Sequence, residues 1–167
     1  MNPMLKKLID QGFMTEDQAN YITDAIANKD NIIISGHRGH GILPLLASLG
    51  SVAQSNGKLK PVRNVATDLE DESVDYLLIG DLKEVDYPEL LTTIFANKKA
   101  SVITIKDADH SFSVMKVLSD VYKQNSDALK TYQLIECTKD ADEVKKIAKI
   151  VKVEQTQSGK LERTTIK

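Results

Sequence analysis

Residues 31–50 read NIIISGHRGHGILPLLASLG. Three consecutive isoleucines give a short apolar run of strand length, bounded by the glycines Gly36, Gly39 and Gly41. Beyond the glycines, Leu45, Leu46, Leu49 and Val52 recur at helical spacing. A strand that feeds a glycine-rich turn and then a helix is the layout of a phosphate-binding loop. Main-chain N–H groups converge there on an anion, at the positive end of the helix dipole.

From Gly36 to Leu43 the spacing is G-x-x-x-x-G plus two residues, the frame of a Walker A motif. Ile42 stands where the frame requires lysine, and Leu43 where it requires serine or threonine. The side chains that neutralise the terminal phosphates and hold magnesium are therefore both replaced. Pro44 removes one further N–H from the first helical turn. The helix dipole still favours an anion by about 0.3–1 kcal/mol at an exposed site. A lost charge-assisted contact costs more, roughly 1.5–3 kcal/mol.

The candidate positions for nucleotide or phosphate are Gly36, His37, Arg38, Gly39, His40, Gly41, Ile42 and Leu43. The expected ligand is ATP or phosphate without well-held magnesium. Equally, the segment reads as a tight strand-to-helix turn whose polar side chains are solvated. His37 and His40 are two imidazoles with no cysteine nearby, too few for a metal site, and none is expected.

On either side of this stretch, apolar runs alternate with helical patterns. Two short helices are expected before it, Pro3 to about Gln11 and Thr15 to about Asn28, the second opened by a Thr15/Gln18 capping box. After it come strand-like runs at 60–66, 76–80, 101–105 and 132–136. Helical patterns fall between them at Leu90, Leu91, Ile94, Phe95 and at Val114, Val117, Leu118, Val121. Asp86 and Pro88 mark one helix start, and Asp109 or Ser111 the next. The alternation predicts an α/β fold with a mainly parallel sheet and helices on both faces. Residues 143–153 fit a helix through Val144, Ile147, Ala148 and Val151. They also fit a strand face through Ile147, Lys149, Val151 and Val153. The turn at Ser158-Gly159 followed by KLERTTIK tilts the choice toward a hairpin.

At 167 residues, one compact domain is expected, organised as an N-terminal helical segment (1–30), an α/β core (31–140) and a β-rich tail (141–167). A net charge of -2 offers no basic footprint for nucleic acid. The lysines at 145, 146, 149 and 152 and the acidic LEDES at 69–73 read as solvated faces. Cys137 is the single cysteine, read as a buried small hydrophobe; with no apolar run near 18 residues, a cytoplasmic protein without a membrane span is expected.

The run DYLLIGDLK (75–83) resembles the Walker B strand of the type II and type IV secretion ATPases, the motors of pilus assembly and conjugation. Asp81 stands in the place of their acid and Lys83 in that of their base. Farther on, Ala96, Asn97, Thr104 and Ile105 match a helix end and strand of that family, while Lys98, Lys99 and Lys106 replace its threonine, glycine and histidine. Thr67-Asp68 is the counterpart of its acidic box. The resemblance covers Thr15 to the C-terminus. It implies a three-layer αβα RecA-like P-loop fold, two N-terminal helices, a β-hairpin-like tail, and association either with copies of itself or with a related ATPase. With the lysine, the hydroxyl and the histidines replaced, it implies a pseudo-ATPase acting as a binding or regulatory module, with Asp81 the one weak catalytic candidate. The alternative expectation is an enzyme that uses His37, Arg38, His40 and Asp81, at neighbouring strand ends, on another phosphorylated or anionic substrate.

Overall fold

The computed structural model describes residues 1–37, 39–80, 82, 85–97, 99–107, 111–127 and 130–166, with the backbone alone at 97. Arg38, Asp81, Lys83, Lys98 and Asp109 lie outside the described residues. Among these residues, seven strands form one sheet in the order β2-β3-β4-β1-β5-β6-β7. The strands are β1 (Asn31–Gly36), β2 (Leu59–Pro61), β3 (Tyr76–Ile79), β4 (Ser101–Asp107), β5 (Thr131–Lys139), β6 (Lys145–Gln155) and β7 (Leu161–Ile166). The first five run parallel, and β6 and β7 are antiparallel. The α/β expectation therefore holds.

Two helices precede the sheet, α1 (Pro3–Asp10) and α2 (Glu16–Ala27), joined through Gly12. The Thr15/Gln18 capping box is formed, with Gln18 N–H donating to Thr15 Oγ1 at 3.1 Å and Thr15 N–H to Gln18 Oε1 at 3.0 Å. α3 (Ile42–Gln54) follows β1, α4 (Val65–Asp68) follows β2, α5 (Tyr87–Asn97) follows β3, and α6 (Val114–Gln124) follows β4. Period-2 alternation divides the apolar side chains between the two sheet faces. Ile32, Ile34, Ile103 and Ile105 pack under α1, α2 and α3. Ile33, Leu77, Val102 and Tyr132 pack under α5 and α6.

Two expectations need correction, and the strand favoured at 143–153 is found with an added feature. The strand expected at 60–66 stops at Pro61. Asp68 there accepts from the N–H groups of Arg63 (2.7 Å) and Asn64 (2.8 Å), so local side-chain bonds fold the chain into α4 in place of a longer strand. The cap of α6 is Ser113, whose Oγ accepts from Lys116 N–H at 3.3 Å, two residues beyond Ser111. Residues 145–155 are a strand, but with a bulge: Cys137 pairs with Ile147 and Glu136 with Lys149, leaving Ala148 unpaired. The extra residue turns Ile147 and Ile150 to the α3 side and leaves Val151 and Val153 on the α6 side. Apolar residues three apart on one face of a strand reproduce the spacing of a helix, which is why periodicity alone left this segment undecided.

Among the described residues, no helix is long and apolar enough to cross a membrane.

Candidate functional site: the glycine loop

β1 lies between β4 and β5, and its carboxyl end opens into the loop 37–41. The loop's entry is sterically fixed. A Cβ on Gly36 would come 2.9 Å from the Cys137 carbonyl oxygen and 3.2 Å from Ile42 Cγ2, so only glycine lets the strand and helix approach this closely. Inside the loop His40 N–H donates to the His37 carbonyl at 3.1 Å, and the two imidazoles meet edge to face with centroids 5.1 Å apart. His37 is exposed and His40 half-buried. Among the described residues no three His, Cys, Asp or Glu side chains are placed to share a metal ion.

The head of α3 is apolar inside and out. Ile42 is 1% exposed and belongs to the core cluster, whereas Leu43 is 43% exposed. The first hydroxyl of the helix, Ser48, is buried and donates back to the Pro44 carbonyl at 2.8 Å. Gly41 takes a φ of +90°, and a Cβ there would lie 2.5 Å from Phe13 Cε2. The Phe13 ring, 4% exposed, therefore packs directly against the end of the loop. Its backbone is pinned as well, since Ile147 N–H on β6 donates to the Phe13 carbonyl at 2.8 Å. A cleft of about 350 Å³ remains beside this contact, lined by Leu8, Phe13, Gly41, Pro44, Val144 and Lys145.

The other singled-out residues lie in different surroundings. β3, which leads toward Asp81, is separated from β1 by β4, so the glycine loop and the end of β3 are not neighbouring strand ends. The turn after β3 is held by the Tyr87 hydroxyl, which donates to the Gly80 carbonyl at 2.8 Å and accepts from Leu82 N–H at 2.6 Å. Asp68 sits beyond β2 at the sheet edge, its carboxyl held below the usual range by those two backbone N–H bonds. Cys137 is buried, and burial pushes its thiol up to about 12, so no thiolate forms near neutrality. In LEDES, Asp71 binds Ser73 and the ammonium of Lys58 at 3.2 Å. Of the lysines read as a solvated face, those at 146, 149 and 152 pair with Asp140, Glu136 and Glu154.

The sequence reading missed two residues. Asp107, 2% exposed, ends β4 as the direct partner of Gly36, which makes it a carboxylate of the loop's own neighbourhood. Phe13 was the other. Asp107 could have been flagged as a lone acid closing an apolar run, but Phe13 reaches the loop only through the fold.

No family model matches the sequence, and no curated protein does. Solved structures do. The VirB11 ATPase of the Brucella suis type IV secretion system, in complex with sulphate, superposes with a TM-score of 0.56 at 11% identity over 90% of this chain and 57% of that one. The fold is RecA-like. The Legionella pneumophila ATPase DotB aligns at 14% identity and a TM-score of 0.47 over 83% of this chain and 50% of that one. The chain thus spans about half the length of either.

Proposed function

We propose that this chain is a P-loop scaffold without efficient ATP hydrolysis, serving as a binding or regulatory module for a related ATPase or for copies of itself in the cytoplasm. The observation that carries this reading is Ile42: 1% exposed, packed against Gly36, at the place where the loop's ammonium is needed. Phosphoryl transfer depends on charge neutralisation and metal positioning, and an isobutyl-sized apolar group supplies neither. Leu43 cannot ligate magnesium, and Pro44 offers no N–H. The main-chain donors of residues 36–43 retain at most a weak preference for an anion, so any residual nucleotide or phosphate binding is independent of magnesium.

The test is a thermal-shift comparison of the wild type with ATP, Mg-ATP and inorganic phosphate. The expected result is that magnesium adds nothing to whatever shift ATP alone produces. A midpoint that rises only with Mg-ATP overturns the reading, since a ligand at 100 times its Kd stabilises by about 2.7 kcal/mol and is easily seen.

A further inference from the structure

On the sheet face opposite α3, strand register aligns four polar side chains across four strands. Ser35 of β1 is the partner of Lys106 on β4 and of Glu136 on β5, and Glu136 in turn faces Lys149 on β6. The row lies one residue before the carboxyl end of β1, the side on which open α/β sheets bind ligands. Its outer member is aimed by the bulge. The extra residue Ala148 keeps Lys149 on this face, 3.2 Å from Glu136, while Ile147 and Ile150 turn to the other. Bulges commonly re-aim a side chain in this way beside a functional site.

Beneath the polar row the same face is apolar, with Ile33, Leu134 and Val151 as a floor and Val114 and Met115 of α6 as a wall. Together they enclose a cavity of about 290 Å³, closed on one side by Arg163 of β7. That volume is at the small end of ligand pockets, which fits a ligand of modest size. Its polar rim carries Lys106, Lys149 and Arg163 against the single carboxylate of Glu136. Arg163 forms no ion pair among the described residues, and its planar fork of donors suits an oxyanion. Glu136 already displays the geometry in which a carboxylate meets Lys149.

We propose that this pocket binds a small organic anion with an aliphatic body, its headgroup held by Lys149 and Arg163 and its chain laid on Ile33, Leu134, Val151 and Met115. The inference concerns the other sheet face and stands whether or not the glycine loop takes nucleotide.

The test is a methyl NMR titration of the full chain with octanoate and octyl phosphate, using octylammonium as the control of equal chain length and opposite charge. The expected result is saturable shifts at Ile33, Leu134, Val151 and Met115 with one or both anions, the tighter of the two naming the headgroup. Octylammonium should bind at least about tenfold more weakly. Arg163→Glu and Lys149→Glu should each weaken the anion about tenfold or more, since a charge-assisted contact becomes a repulsion. Glu136→Gln should tighten it by removing the competing carboxylate. These side chains are at least partly exposed, so the variants should keep the wild-type spectrum elsewhere. Shifts confined to other methyls, equal binding of octylammonium, or variants that leave the affinity unchanged would each overturn the proposal.

Discussion

The glycine loop and the opposite end of the same sheet treat polar groups in contrasting ways. At the amino ends of the strands, Asn31, Ser101, Gln133, Tyr76 and the neighbouring Asp30 are bonded to one another or to the backbone, although the buried Tyr132 hydroxyl of β5 has no partner among the described residues. Asn31 Oδ1 accepts from Val102 N–H at 2.8 Å, and Ser101 Oγ donates to the Asp30 carbonyl at 2.8 Å. Gln133 donates to the Asp30 carboxylate at 3.1 Å and accepts from the Tyr21 hydroxyl at 2.9 Å. Tyr76 donates to the Ile26 carbonyl at 2.7 Å. At the loop, the helix head is formed by Ile42, Leu43 and Pro44, with Phe13 packed against Gly41. Polar side chains thus tie strands to one another and to α2 at one end of the sheet, and apolar side chains hold the loop at the other. Stranding one partner of a buried hydrogen bond costs about 1–3 kcal/mol, whereas cutting back a buried ring or branched side chain costs about 2–5 kcal/mol through lost burial and the cavity left behind.

Four substitutions and one pH measurement test this contrast. The largest effect is expected for Phe13→Ala, which removes the ring that covers Gly41 and should lower unfolding stability in urea by about 3–5 kcal/mol. A loss below about 1 kcal/mol would mean that the ring does not seal the loop. Ile42→Ala should cost about 2–5 kcal/mol, because a buried side chain is cut back against a rigid Gly36–Cys137 contact. A near-neutral outcome would place Ile42 outside the core. At the other end, Asn31→Leu strands the Val102 N–H without an acceptor and should cost roughly 1–3 kcal/mol. Thr15→Ala removes half of the capping box and should cost about 1 kcal/mol, with α2 fraying first in amide hydrogen exchange.

The smallest effect is the pH dependence of Asp30. Burial raises its carboxyl pKa, partly offset by the Gln133 bond. A carboxyl raised on folding contributes stability that is complete below its unfolded pKa and lost as pH climbs through the folded one. The stability of the wild type relative to Asp30→Asn should therefore decline as pH rises through the carboxylate range. A difference that grows with pH would reverse the assignment.

Much of the scaffold was legible in the sequence because apolar period and capping chemistry are local signals. The isoleucines of β1, the Thr15/Gln18 box and the Asp86 cap, which accepts from Glu89 N–H at 3.1 Å, are all written in a few adjacent residues. The bulge at Ala148 was not legible, since one unpaired residue changes which face each later side chain takes and imitates helical spacing. Nor was the strand order: with β4 inserted between β1 and β3, residues that seem to converge along the chain are held a strand apart. At the loop itself, the sequence shows Ile42 at the place where the Walker A spacing expects lysine. The burial of that isoleucine against Gly36, the Phe13 ring on Gly41 and the pairing of Asp107 with Gly36 arise only when distant segments meet.

Whether the apolar head of α3 leaves this loop without phosphate chemistry, as proposed, is decided by steady-state phosphate release from Mg-ATP by the purified wild-type chain. The account predicts release at the buffer background, unchanged by added protein. Turnover near 1 s⁻¹ or faster, in the ordinary range of enzymes and retained through a second independent purification, would contradict it.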